Sequence, residues 1–431
     1  MANVIKRIVI KGLYDNYDYD ITFHKDGVTL ITGPNGFGKT TVLNIIKNAL
    51  EQNFVYFYDL LFKSIVLHFD DSEKGQRLII KKNKPKYESL FDEDVKYEVD
   101  IKFFIDKTNN KATDSFIIDK DYLMLGRNPF GRYNSGDLDF FLENDEDYAR
   151  RRYLSINNQE LKRHLKNFQI FLNDKNCLFI KEQRIFSTNR SSNDNEKYTI
   201  TQLADDLKSR YAQQKSRYTD ESQKIDSSFV ERLLGRNYKE YEEDEYRGRI
   251  DELKRYVEEY KKFNLISNYS FLGEFDGKFK PALSLYIEDM FEKIKVYDGF
   301  YRQLSLFNQF VNGKGLSNKT MILNEKDGIS FKSDSGRMVP LHKLSSGEQN
   351  LVILYYRLVF ETKPNTLLLI DEPENSIHVE WLEKMLSDYF VMENDLKCQM
   401  IIATHSPIFI GDNFNVAYDL YGGAYQDWMK K

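Results

Sequence analysis

One octapeptide constrains this chain more than any other feature. Residues 33–40, Gly33-Pro34-Asn35-Gly36-Phe37-Gly38-Lys39-Thr40, satisfy the pattern GxxxxGK[ST] at every fixed position. They follow an apolar run, Gly27 to Thr32, and precede Val42, Ile45, Ile46 and Leu50, which recur at helical spacing. A strand that feeds a glycine turn and then a helix exposes backbone N–H groups at the start of that helix. The glycines let successive N–H groups point inward, the helix adds the positive end of its dipole, and Lys39 adds a full charge. Such a cradle suits a polyphosphate. Lys39 is expected to bridge the β- and γ-phosphates of a nucleotide, and the Thr40 hydroxyl to ligate Mg²⁺. Asn35, Gly36, Gly38, Lys39, Thr40 and Thr41 are therefore the expected nucleotide-binding residues.

Three segments in the last hundred residues carry further chemistry. Residues 366–372, Thr-Leu-Leu-Leu-Ile-Asp-Glu, read as an apolar strand delivering two carboxylates at its end, where a parallel sheet places its crevice. Asp371 would hold Mg²⁺ through water, and Glu372 would polarise an attacking water as general base. Ile401-Ile402-Ala403-Thr404-His405-Ser406 repeats the design. His405 is then either a group that senses the γ-phosphate or a structural histidine. Leu344-Ser345-Ser346-Gly347-Glu348-Gln349 precedes the helical pattern Leu351, Ile353, Leu354 and Leu358. A Ser-Ser-Gly helix start serves anion binding and plain N-capping equally well.

The order of these pieces resembles the ABC ATPases, whose hallmark is Walker A, a signature near LSGGQ, Walker B and a switch histidine. That resemblance implies ATP and Mg²⁺ as cofactors, hydrolysis of ATP to ADP and phosphate, and a self-associated ATP-sandwich dimer or higher homo-oligomer. Ser345 and Gly347 would face nucleotide bound to the Lys39 of a second copy. Ser346 departs from the family pattern, which has glycine there. Gln183, after the apolar run Cys177-Leu178-Phe179-Ile180, resembles the Q-loop glutamine that joins Thr40 and Asp371 at the metal. Asp371-Glu372-Pro373-Glu374-Asn375-Ser376-Ile377-His378 is similar to the branch of ABC ATPases that holds the overcoming-lysogenization-defect (OLD), RecF and AAA15/AAA21 proteins. Within it, the ATPases of PARIS anti-phage systems, then those of Septu systems, are the nearest in motif. Glu182-Gln183-Arg184 and Ile225 to Arg232 add short matches to this group. Glu374 and His378 fall where the family has its D-loop, although His378 reads equally as a polar helix start.

The implied fold class is α/β, an ABC-type P-loop head with an antiparallel β lobe and a helical, short coiled-coil-like insertion. Residues 1–190 would form the first part of the head, 191–315 the insertion, and 316–431 the rest of the head. In the insertion, Leu203, Leu207, Tyr211 and Tyr218 mark one helix, and Ile250, Leu253, Tyr256, Val257 and Tyr260 a second. They suit either a hairpin or an ordinary amphipathic pair. Residues 106–170 are polar and give no clear pattern.

Composition enters by exclusion. The 62 basic and 67 acidic residues leave a net charge of −5, which gives no global reason to expect nucleic acid. Cys177 and Cys398 lie far apart without metal-ligand spacing, which suits a reducing, cytoplasmic setting. No stretch nears the roughly 18 apolar residues a membrane helix needs. An OLD-type nuclease domain would follow the ATPase, yet 26 residues remain after His405. The expectation is thus a sensor or scaffold ATPase of an anti-phage system that holds and releases a separate effector such as a Toprim-like nuclease, triggered by a phage product. The alternative is a RecF- or SMC-like repair ATPase that clamps DNA as an ATP-dependent dimer. A transporter subunit fits the charged insertion poorly.

Overall fold

The structure is a computed structural model that describes residues 5–24, 27–69, 75–83, 98–104, 112–118, 163–164, 166–168, 172, 176–181, 199–235, 238–266 and 275–424. Gln183, with its neighbours Glu182 and Arg184, lies outside the described residues, as does the expected boundary at 190/191. The chain divides into two units, Met1–Gln183 with Glu361–Lys431, and Arg184–Phe360.

The first unit holds two sheets. One is antiparallel, in the order β2 (Tyr17–Thr22), β1 (Arg7–Leu13), β4 (Ser64–His68), β5 (Arg77–Asn83), β6 (Glu98–Phe104) and β7 (Asp114–Ile118). Its strands alternate as a half-covered sheet should, with Ile8, Ile10, Ile65, Leu67, Leu78, Ile80, Ile101 and Phe103 all buried. The first two strands thus belong to the same lobe as those from 64 onward, because β1 pairs with β4 from Arg7↔His68 to Lys11↔Ser64. That pairing is long-range and has no local signal. The other sheet runs β15 (Gly423–Ala424), β14 (Ala417–Asp419), β3 (Val28–Thr32), β13 (Gln399–Ala403), β12 (Leu367–Asp371), β8 (Cys177–Ile180). All neighbours from β14 to β8 pair in parallel. Every residue of β3, β12 and β13 is buried, as expected of parallel strands covered on both faces. Helix α1 (Lys39–Leu50), followed by the one-turn α2 (Tyr56–Asp59), buries Val42, Leu43, Ile45 and Ile46 in one core with Ile8 and Ile10 of the first sheet and Leu367, Leu369 and Ile401 of the second.

The second unit is mostly helical. Helix α3 (Thr199–Gly235) has 37 residues, about 55 Å at 1.5 Å per residue. Helix α4 (Glu243–Lys261) starts at a capping box between Glu242 and Glu245 and buries Tyr246, Ile250, Leu253, Val257 and Tyr260, spaced 4, 3, 4 and 3. Tyr256, expected on that stripe, is 42% exposed because it falls one position off it. The α4 stripe meets Leu283, Ile287, Met290, Phe291 and Ile294 of α5 (Lys280–Lys295) in a separate aromatic-rich core. The insertion is therefore a packed helical cluster, and the amphipathic reading is the one realised. Helix α5 is followed by α6 (Asp298–Asn312), and the two are separated where Tyr297 N–H bonds to the Ile294 carbonyl in a tightened turn.

Residues 316–360 group with these helices, whereas the sequence reading joined them to the head. The hairpin of β9 (Lys319–Asn324) and β10 (Gly328–Ser333) explains the difference. At Gly328, φ is +66, and a Cβ would come 2.1 Å from the Ala204 carbonyl oxygen of α3. Only glycine permits so close an approach.

Candidate functional site

Strand register builds the site. Asp371 pairs with Ala403, and Ala403 with Ile31, so β12, β13 and β3 end in one row at the carboxyl edge of the parallel sheet. From that row leave the loop 33–38, Glu372, and Thr404 with His405. Parallel α/β sheets bind ligands at this edge. Gly38 forms the N-cap of α1 with φ +82, a left-handed conformation that glycine adopts without strain.

The expected residues converge there. Thr40 Oγ1 donates to Asp371 Oδ1 at 3.1 Å. Lys39 is 5% exposed, and its Nζ donates to the Gly33 carbonyl at 2.9 Å and Asn35 Oδ1 at 3.3 Å, with Glu372 Oε1 4.0 Å away. The ammonium thus folds onto its own loop, where phosphate oxygens would replace carbonyl oxygens. Thr41 Oγ1 lies 3.0 Å from the Tyr14 hydroxyl. Asn35 and Gly36 are exposed at the loop tip, open to a ligand. Glu372 has φ +42, a strained conformation for a side-chain-bearing residue, fixed by the bond from its N–H to the Ala403 carbonyl at 2.9 Å. His405 Nδ1 sits 3.2 Å from Glu372 Oε1 and 3.3 Å from Glu374 Oε1. The histidine therefore belongs to the site.

Two further side chains support the site. The Tyr19 hydroxyl donates to the Phe37 carbonyl at 2.6 Å and so props the phosphate loop from the antiparallel sheet. Burial, with Tyr17 and Tyr418 nearby, pushes that phenol up to about 12, so it remains a donor at neutral pH. Glu374 accepts from Thr404 Oγ1 at 2.6 Å and His405 N–H at 2.9 Å, both on Oε1. Its only sequence signal was its place in the Glu-Pro-Glu run. His378, by contrast, is a helix start: its Nδ1 accepts from Glu380 N–H at 3.4 Å as the N-cap of the helix Val379–Leu396.

Ser345 and Gly347 belong to the second unit. Ser345 is the exposed N-cap of α7 (Ser346–Tyr356), and its hydroxyl and N–H both meet Glu348 Oε2, at 3.0 and 2.8 Å. Lys319 Nζ reaches Glu348 Oε1 at 2.5 Å. Burial works to raise the Glu348 carboxyl, but Lys319 and the Ser345 N–H and hydroxyl outweigh it and hold it below the usual range. Ser346 lies outside the left-handed region, so serine in place of the family's glycine brings no backbone strain. Locally, N-capping accounts for Ser345, and its exposure leaves a second contact open.

The donor set at Thr40 and Asp371 is all oxygen. That fits Mg²⁺, which keeps several waters and takes one or two protein ligands beside phosphate. Among those residues no helix is long and apolar enough to cross a membrane.

Similar proteins are of two kinds. An 84-residue stretch is 36% identical to the ATP-binding protein Uup-like of Haemophilus influenzae, covering 19% of this chain and 16% of that relative. The ATP-binding protein Uup of the same organism is also 36% identical over 84 residues, 19% of this chain and 11% of the relative. The chain thus spans about a sixth or less of the length of the curated relatives it matches. Among solved structures, the SMC head domain from Thermotoga maritima is 14% identical with a TM-score of 0.33, over 96% of this chain and 94% of that one. The Smc head domain with an extended coiled coil bound to the C-terminal domain of ScpA, from Pyrococcus furiosus, is 16% identical with a TM-score of 0.34, over 94% and 90%. The fold class is the expected one, an α/β ABC-type P-loop head with an antiparallel β lobe and helical segments. The AAA ATPase domain family (AAA_15) matches residues 4–410, which span the phosphate loop, the paired carboxylates and His405, and the chain belongs to that family.

Proposed function

We propose that this chain binds ATP with Mg²⁺ on the loop 33–40, hydrolyses it, and uses it as a clasp between two copies. The observation that carries the reading is the meeting of Lys39, Thr40, Asp371, Glu372 and His405 on one sheet edge. Lys39 exchanges its loop carbonyls for phosphate oxygens, while N–H groups of the loop and of the α1 start hold the rest of the polyphosphate. Thr40 and Asp371 would hold Mg²⁺, which would offset phosphate charge. Glu372, aimed by its strained backbone, takes a proton from the attacking water. His405, set between two carboxylates, presents its other nitrogen to the γ-phosphate. Ser345 and Gly347 of one copy close on the nucleotide of the other.

Beyond the ATPase, the run Asp371 to His378 and the short match Ile225 to Arg232 support a role in anti-phage defence, as a sensor that holds a separate effector and releases it on a phage-derived trigger. Glu372→Gln tests the chemistry: nucleotide stays bound and turnover falls on the order of 10²–10⁴-fold. Normal turnover would refute the assignment of the base. Size-exclusion chromatography of that variant with ATP, alone and co-expressed with neighbouring gene products, tests the clasp and the partner. A monomer that binds no partner in ATP sinks the defence reading, and ATP-dependent, salt-sensitive binding to plasmid DNA would favour a DNA clamp instead.

A further inference from the structure

Three carboxylates follow or close β12, at Asp371, Glu372 and Glu374, and the proposed chemistry uses two of them. The third is the more buried of the two acids that contact His405: the Glu374 side chain is 6% exposed, against 18% for that of Glu372. A buried carboxylate is costly unless donors meet it, so an apolar residue would serve packing better. Its donors all come from one place. Thr404 Oγ1 lies 2.6 Å and His405 N–H 2.9 Å from Glu374 Oε1, and His405 Nδ1 is 3.3 Å from the same oxygen. Thr404 Oγ1 in turn accepts from Ser406 N–H at 3.1 Å, so Glu374 Oε1 ties Thr404 and His405 directly and Ser406 through the Thr404 hydroxyl. The His405 ring is half exposed, at 49%, and little packing holds it.

We infer that Glu374 is the positioning residue of the histidine: it anchors the main chain of His405 and, with Glu372, fixes the ring at Nδ1 so that the opposite nitrogen faces the phosphate. Two carboxylates on one side of the imidazole leave Nδ1–H as donor and define which edge of the ring is free. Glu374 touches neither nucleotide nor the attacking water and acts through His405. The inference rests on the hydrolytic reading above and adds the residue that sets its geometry.

The test is a double-mutant cycle on Glu374 and His405 in the full chain, with kcat, KM and nucleotide affinity measured separately. Glu374→Ala should lower kcat on the order of 10²-fold, the scale of a misplaced group, while nucleotide affinity stays within about threefold. Because the two residues act as a unit, Glu374→Ala combined with His405→Ala should be no slower than His405→Ala alone, within about twofold. Glu374→Gln keeps an acceptor for Thr404 and the His405 N–H and should retain more turnover than Glu374→Ala. Should Glu374→Ala fail to fold, the same cycle is run with Glu374→Gln. Losses that multiply in the double variant overturn the inference, as does a kcat for the single variant within about twofold of wild type. A slow Glu372→Gln beside a normal Glu374→Ala refutes this inference alone, whereas normal turnover in Glu372→Gln refutes the hydrolytic reading beneath it.

Discussion

Gly38→Ala separates backbone strain from steric clash at the phosphate loop. A Cβ built on Gly38 would lie 3.4 Å from Leu13 Cδ2 and 3.7 Å from Thr41 Cβ, ordinary contacts that need no rearrangement. The backbone is the obstacle, since φ is +82, and holding an L-residue in the left-handed region costs about 1–2 kcal/mol. Asn35 and Gly36 beside it are exposed and the core of α1 is close-packed, so the loop rather than the core should relax. Relaxation turns the N–H groups at the start of α1 away from the phosphates. The cost should then appear in binding, as a loss of about 5–30-fold in affinity, with a small change in melting temperature. Titration with a fluorescent ATP analogue and Mg²⁺ in a Glu372→Gln background measures it without turnover. Gly248→Ala is the matched control, because Gly248 lies exposed within α4, has nothing within 4 Å of an added Cβ and has no positive φ. It should stabilise by about 0.5–1 kcal/mol and leave affinity unchanged. Unchanged affinity in Gly38→Ala would show that the loop binds phosphate without its left-handed turn, and the reasoning would fail.

Two further expectations follow from side-chain geometry. Thr40→Val removes the hydroxyl 3.1 Å from Asp371 while keeping the shape, and losing one charge-assisted contact of about 1.5–3 kcal/mol should raise the Mg²⁺ needed for half-maximal turnover on the order of 10–100-fold; an unchanged Mg²⁺ requirement would exclude Thr40 from the metal. Glu348 predicts a pH dependence, because its folded pKa lies below the unfolded value of about 4.3. Its contribution is fully present above that unfolded value and is lost as pH falls through the folded one. Lys319→Met should therefore lower the melting temperature at pH 7 and close the gap to wild type as pH drops below about 4. A gap that persists at low pH would mean that Lys319 acts through packing.

The chemistry of the head was legible because it is local. Phosphate binding needs a strand, a glycine turn and a helix start within about a dozen residues, and each leaves its mark in residue type and period. The same holds for Leu367 to Asp371 and Gln399 to Ala403, short buried runs, the first closed by Asp371 and the second followed by Thr404. What joins these pieces is not local. Asp371 lies 331 positions from Thr40, and only the register of β12 on β13 and β13 on β3 puts them within 3.1 Å. The pairing of β1 with β4, the break between α5 and α6, and the grouping of residues 316–360 with the helices were equally beyond the sequence, since each depends on which apolar face meets which. Glu374 shows the limit most clearly. From sequence it is a member of the Glu-Pro-Glu run at the D-loop position, and only burial beside Thr404 and His405 shows that it holds the histidine loop. The sequence by itself determined which groups could bind phosphate, because that chemistry resides in residue types at fixed spacing. The tertiary structure decided which carboxylate faces which donor, because burial and hydrogen-bond geometry arise only when distant segments pack.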